Sequence, residues 1–140
     1  MRFECSVDIS APPETVWRVL HDVEAWPTWT ASMTSVDRSG DGDLVVGETV
    51  RIRQPRLPVT EWTVTEVTEP RSFTWTAHRP GVHTTGEHVI EPAGDGSVVR
   101  LTLDQHGPVG WVVSLVAGRL TRRYLDLESA GLKARSEQGG

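Results

Sequence analysis

Residues 11–29 read APPETVWRVLHDVEAWPTW. Pro12 and Pro13 suit the first turn of a helix, where a missing N–H costs nothing. Val16, Trp17 and Leu20 then fall on one helical face. Pro27 starts or breaks one more short turn, which carries the Trp-Pro-Thr-Trp motif of Trp26 to Trp29. The stretch therefore predicts two small helices close to the N-terminus.

The preceding segment is a strand. In RFECSVDIS, residues 2–10, Phe3, Cys5, Val7 and Ile9 share one face and Arg2, Glu4, Ser6 and Asp8 the other. That period of two marks a half-buried strand. Beyond the small helices comes a run of strands separated by turn signals, among them GDGDLVVG and EPAGDGS with their Asp-Gly pairs. Strands are predicted at 31–38, 48–54, 59–68, 72–79, 83–91 and 97–106. Parity sorts their faces. Trp62 and Val64 oppose Glu61 and Thr63; Phe73, Trp75 and Ala77 oppose Thr74 and Thr76; His88 and Ile90 oppose Glu87 and Val89. Val99, Leu101, Leu103 and Gln105 oppose Arg100, Thr102, Asp104 and His106. One face is oily and the other rich in threonine and charge, as in an antiparallel sheet wetted on one side.

A long C-terminal helix is the candidate to cover the oily face. After Gly107-Pro108, residues 109–134 read as one helix, with Val113, Val116, Leu120, Tyr124 and Leu127 at spacings of three and four. Arg119, Arg122, Arg123, Asp126 and Glu128 are placed mostly off that stripe. Residues 135–140 read as a frayed tail, leaving a single domain over 1–134.

The 140-residue chain is long enough to bury a core. Its formal charge of −5, with acidic residues spread along the chain, argues against a nucleic-acid partner, which needs a concentrated basic surface. Cys5 is the single cysteine, so no intrachain disulfide is possible. The longest apolar cluster, GWVVSLVAG at 110–118, is about half of the ~20 residues a membrane span needs. The N-terminus lacks the apolar run of a signal peptide. The expectation is a soluble cytoplasmic protein, monomer or homodimer, without a membrane span. No metal or nucleotide cofactor is expected: no His, Cys, Asp or Glu group has ligand spacing, and no Gly-rich phosphate loop or nucleophile elbow occurs.

The order strand, two small helices, six strands, long helix, with SAPPETVW, the W-P-x-W motif, VTEVTEPRSFTW and HVIEPAGDGSVVRLTL, resembles the SRPBCC superfamily of START-like, polyketide cyclase/dehydrase-type and Bet v 1-like proteins. The resemblance covers residues 1 to about 133. It implies an α+β helix-grip fold, in which a strongly curved seven-stranded antiparallel sheet wraps around the C-terminal helix. It also implies a cavity between sheet and helix, open near the two small helices and certain hairpin loops.

On that frame the inward residues become candidate ligand contacts. Trp62, Val64, Phe73, Trp75, Ile90, Leu101 and Leu103 would form apolar walls. His88, Gln105 and Gln54 are the inward polar groups of the sheet, and a buried polar group needs a partner from protein, water or ligand. Leu120 and Tyr124 would face them from the helix. His88 either orients a ligand and moves a proton or bonds Tyr124 or a backbone carbonyl and completes the core. Tyr124 either donates to a ligand carbonyl or makes a rim hydrogen bond. Trp29 is expected to cap the core and Trp26 to stand at the mouth.

Three functions fit these residues. The first is binding of a small hydrophobic molecule: a lipid, polyketide or aromatic metabolite. The second is a polyketide cyclase or dehydratase with His88 as base and Tyr124 or Gln105 holding an enolate oxygen. The third is a protein-interaction module using the outer surface, which goes with a solidly filled interior.

Overall fold

The computed structural model describes residues 1–139; Gly140, the end of the expected tail, lies outside them. Seven antiparallel strands form one sheet: β1 (Arg2–Ile9), β2 (Ser35–Arg38), β3 (Thr49–Arg53), β4 (Thr60–Thr68), β5 (Ser72–Arg79), β6 (Val82–Ala93) and β7 (Gly96–His106). Their order across the sheet is β1-β7-β6-β5-β4-β3-β2, so the first strand pairs with the last. Register confirms the parity reading. Val7 lies opposite Val99, and His88 opposite Leu101. β4 departs from strict alternation at a bulge between Val64 and Glu66. The extra residue, Thr65, lets Val67 rejoin the packed face beside Phe73, and such bulges increase local bending.

Between β1 and β2 lie helix α1 (Pro13–Leu20) and a 3-10 helix (Val23–Thr28). Pro13 occupies the first helical position, as expected. Val16, Trp17, Val19 and Leu20 are buried; Glu14 and Arg18 are exposed. β2 begins at Ser35 and not near residue 31. In the preceding turn the Thr30 and Ser32 hydroxyls bond each other at 2.8 Å, and the Ser32 N–H donates to Thr30 Oγ1 at 3.2 Å. Local side-chain bonds of this kind compete with a strand ladder.

The C-terminal helix α2 spans Gly110–Glu137, three residues further than expected. Its last turn is tied down: Ser136 is buried, and the Glu137 carboxylate accepts from the Ser10 N–H (2.8 Å) and Lys133 Nζ (2.7 Å). The helix packs against β1, β7 and α1. Of its expected stripe Tyr124 is buried and Val113, Leu120 and Leu127 are half-buried, but Val116 faces outward. Ser114, Tyr124, Leu125, Glu128, Leu132 and Ser136 are buried, whereas Val116 is 84% exposed, Leu115 69% and Trp111 62%. In its first two turns α2 thus points large apolar side chains outward and small ones inward. Further along, Gly131 lies so close to Trp29 that a Cβ there would stand 2.1 Å from the Trp29 carbonyl oxygen.

One end of the sheet–helix interior is solid. Val16, Leu20, Val23, Trp26, Val64, Phe73 and Ile90 have at most 1% exposure. The β2–β3 loop at this end is fastened by a buried fork: Arg38 Nε and Nη2 both donate to Glu48, while Nη1 donates to the Gly42 carbonyl (2.8 Å). The Arg38 hydrogen bond holds the Glu48 carboxyl below its usual range. A curved antiparallel sheet gripping one long helix is the helix-grip fold.

Candidate functional site

The other end of the interior is hollow. A cavity of about 320 Å³ lies between the concave face of the sheet and α2, at the lower end of the range for small-molecule pockets, about 300–1,000 Å³. Trp62 from β4 and Trp75 from β5 form its wall, ring centroids 5.5 Å apart. Leu101 and Leu103 continue it on β7. Gly86 on β6 sits directly opposite Trp75. A Cβ there would lie 2.8 Å from the Trp75 indole nitrogen, so only glycine lets that ring lie across β6. The helix supplies Val113, Ala117, Thr121, Tyr124, Leu125 and Glu128, residues spaced by three and four. The small ones among them, Ala117 and Thr121, leave the space.

Exposed and half-exposed lining residues mark the mouth, among them Leu57 and Pro58 of the β3–β4 loop with Arg79, Val82 and Val113. That loop is held from two sides. Arg79 Nη2 donates to the Val59 carbonyl (2.8 Å) and to Thr60 Oγ1 (3.2 Å), and the Tyr124 hydroxyl donates to the Pro55 carbonyl. Among the described residues, none of the lining comes from α1 or the 3-10 helix. The small helices plug the solid end, so the expectation of an opening beside them is corrected; the hairpin-loop end is the open one.

The structure reverses the order of depth expected of the two motif tryptophans. Trp26 is 1% exposed and is no mouth residue. Its indole N–H donates to the Leu20 carbonyl at 2.9 Å, and its ring meets Phe73, Trp75 and His88 at 5.6–6.3 Å. Trp29 is half-buried at the flank, its ring 5.3 Å from that of Trp26. The reason is local geometry: in a 3-10 helix residues three apart are eclipsed, so one ring lies against the other. Neither lines the cavity.

Of the other candidates, Trp62, Trp75, His88, Leu101, Leu103, Gln105, Tyr124 and Gln54 line the cavity. Val64, Phe73 and Ile90 face inward but are sealed in the solid end, and Leu120 is half-buried to one side of the lining. His88 Nδ1 lies 3.2 Å from the Phe73 carbonyl. A carbonyl only accepts, so Nδ1 carries the proton and Nε2 is the acceptor. Its ring stacks on Phe73 at 4.1 Å, and burial lowers its pKa to about 4. Gln105 Oε1 accepts from the Ser114 hydroxyl at 2.7 Å.

Glu128 is the residue that the sequence placed wrongly. It is 8% exposed, lines the cavity, and has its pKa pushed up to about 8 by burial, with the Ser32 hydroxyl pulling the other way. Its spacing from Tyr124 (i, i+4) was the available signal. Among the described residues, no three His, Cys, Asp or Glu side chains converge on a metal position, and no helix is long and apolar enough to cross a membrane.

Comparison with known proteins bears on family and fold. A family model described as polyketide cyclase / dehydrase and lipid transport matches residues 1–137. No curated protein matches the sequence significantly. Similar solved structures include a START superfamily protein from Mycobacterium smegmatis (22% identity, 98% of this chain and 97% of that one, TM-score 0.74). TTHA0849 from Thermus thermophilus is similar at 19% identity, over 97% of each chain, with a TM-score of 0.77. The Aha1 dimer from Colwellia psychrerythraea is similar at 19% identity, over 99% of this chain and 98% of that one, with a TM-score of 0.73. At these identities the structures speak for the fold alone.

Proposed function

The chain belongs to the polyketide cyclase/dehydrase and lipid transport family, and from that premise we propose that it binds one small, largely apolar molecule in the cavity between the sheet and α2. One observation carries this reading. The interior is hollow where Trp62, Trp75, Leu101 and Leu103 face the small side chains of α2, Ala117 and Thr121. An interior used only as scaffold would be close-packed, and an outer-surface interaction module was expected to have a filled one. The volume favours a compact ring system over a long acyl chain. The two polar side chains first considered for catalysis support binding more than turnover. His88 is tied to the Phe73 carbonyl, and with a pKa of about 4 it is a weak base at neutral pH. Tyr124 spends its proton on the mouth loop.

The test is to fill the cavity. Ala117→Phe adds a ring where the helix faces Trp62 and Trp75. Native mass spectrometry of the purified protein, and calorimetric titration with apolar aromatic compounds, should show a bound molecule in the wild type. The variant should lose it while keeping its circular dichroism. Equal binding by a folded Ala117→Phe protein would refute the cavity as the binding site.

A further inference from the structure

Glu128 has no structural use for its charge. Among the described residues it has no ion-pair partner. It lies on the lining face of α2, one turn beyond Tyr124, beside the Ser32 hydroxyl. The titratable and charged groups around it are few. His88 on β6 is buried and uncharged, and Tyr124 on α2 is bonded to the Pro55 carbonyl. Arg79 of β5 is exposed at the mouth and bonded to the β3–β4 loop, and the Glu87 side chain of β6 is exposed. β1 presents the Cys5 thiol, which is engaged with Ser129 Oγ (3.4 Å) and Asp126 Oδ1 (3.7 Å) on the flank of α2. Glu14 and Arg18 of α1 are exposed. β3, β4 and β7 line the cavity with uncharged side chains, Ile52, Trp62, Leu101, Thr102, Leu103 and Gln105 among them.

Burying an unpaired carboxylate is costly, and the group avoids the cost by keeping its proton. A protonated carboxyl is a hydrogen-bond donor as well as an acceptor. His88, with its proton on Nδ1, adds an acceptor and no charge. Inside the exposed Arg79 and Glu87 at its edge, the cavity at neutral pH is therefore largely apolar, uncharged, and furnished with an O–H at its helical wall.

We propose that Glu128 is the polar anchor of this cavity: as a carboxylic acid it donates a hydrogen bond to the carbonyl oxygen of an otherwise apolar, uncharged ligand. This rests on the cavity being the binding site, and it names the ligand class. The anchor selects a ketone, ester or lactone over the hydrocarbon of the same shape. It also makes that selection dependent on pH, because the carboxylate that forms above about pH 8 cannot donate and repels a carbonyl oxygen.

Two probes of one shape test it: 2-acetylnaphthalene, which carries the carbonyl, and 2-isopropenylnaphthalene, which replaces its oxygen with CH2. Both are titrated calorimetrically into the full chain near pH ~6 and pH ~9.5, either side of the carboxyl's transition. The wild type should prefer the ketone by about tenfold at the lower pH, the worth of one good hydrogen bond, and lose that preference at the higher. Glu128→Gln keeps a donor that does not titrate, so its preference should persist at both. Glu128→Leu should show none at either. A wild-type preference that ignores pH, or one retained by Glu128→Leu, would overturn the anchor while leaving the cavity reading intact. Tighter binding of 1-(2-naphthyl)ethylamine than of the ketone, strengthening as pH rises towards 8, would overturn it in favour of a carboxylate that pairs with cations. If neither uncharged probe binds the wild type at either pH, the cavity reading fails and the anchor with it. Should Glu128→Leu not fold, the wild-type profile and Glu128→Gln still decide the matter.

Discussion

At one end of the interior Trp26, Phe73 and Ile90 are buried to 1% exposure or less; at the other, Trp62 and Trp75 border a void of about 320 Å³. The sheet supplies aromatic and aliphatic side chains to both ends, so the sheet is not what distinguishes them. The difference lies in what is laid over it. The solid end receives α1, the 3-10 helix and Leu132 of α2, and all of them bring large side chains. Of the helices, α2 alone covers the hollow end, over Val113 to Glu128, and its first half turns Ser114, Ala117 and Thr121 towards the sheet and Trp111, Leu115 and Val116 away. In this chain the cavity thus depends on small residues of the helix, together with Gly86, which lets the Trp75 ring lie across β6.

The sharpest way to break this comparison is Trp26→Ala. If the closed end is a close-packed core, emptying it should cost about 3–5 kcal/mol, read from the urea midpoint, and leave the Leu20 carbonyl without its partner. A midpoint near that of the wild type would mean that the solid end is not what holds the fold.

The next effect sharpens the hollow end, whose lining holds two buried titratable groups of opposite sense. Glu128 keeps its proton up to about pH 8 when folded, whereas an unfolded carboxyl loses it near 4.5. The folded state binds more protons in that window, so stability falls as pH rises through it. His88 is the reverse. It takes a proton only near pH 4 when folded and near 6.5 when unfolded, so its contribution is full above 6.5 and is lost as pH falls towards 4. The two slopes offset each other between about 4.5 and 6.5. Above that only Glu128 remains, and stability should drop by on the order of 2 kcal/mol by pH 8, at ~1.4 kcal/mol per pH unit. Glu128→Gln should abolish the drop. Urea midpoints measured across this range check it, and a wild-type curve flat from 6.5 to 8 would place the carboxyl in water.

A smaller effect is expected where the ends meet. Gly131→Ala puts a methyl group against the Trp29 carbonyl. Overpacking costs about 1–3 kcal/mol, and the better helix propensity returns about 1, for a net loss of up to about 2 kcal/mol in the same denaturation. The smallest effect belongs to the hollow. Ala117→Phe should change the midpoint by less than about 1 kcal/mol, because the added ring enters vacant space instead of displacing neighbours. A loss as large as that of Trp26→Ala would show the void to be too small for the ring.

Much of this was legible in the sequence, and what was not has a physical cause. Strand faces follow from strict alternation, so Trp62, Trp75, His88, Leu101, Leu103 and Gln105 could be assigned inward from parity alone. Parity cannot say how deep an inward residue lies. Val64, Phe73 and Ile90 therefore looked like cavity walls, although the small helices seal them off. On helix α2 the spacing of three and four found Val113 and Tyr124, which line the cavity, but also took Val116 inward. Trp111, Val112, Leu115 and Val116 on the outer side are as apolar as a core stripe, while Ser114, Ala117 and Thr121 on the inner side carry no hydrophobic signal. Glu128 followed from the same error, since a charged residue is assigned to solvent unless something pairs it. A winding of three residues per turn brings the rings of Trp26 and Trp29 together, and spacing alone does not tell which of the two lies deeper.

The outward turn of the first α2 residues has an optical consequence. The protein has six tryptophans. Trp111 is 62% exposed, whereas Trp17, Trp26, Trp62 and Trp75 are buried and Trp29 is half-buried. Aqueous iodide should therefore quench the red-shifted emission of Trp111 first and leave the bluer light of the interior. Trp62 and Trp75 contribute to that remaining emission, so a molecule arriving between sheet and helix would announce itself spectroscopically without any label attached.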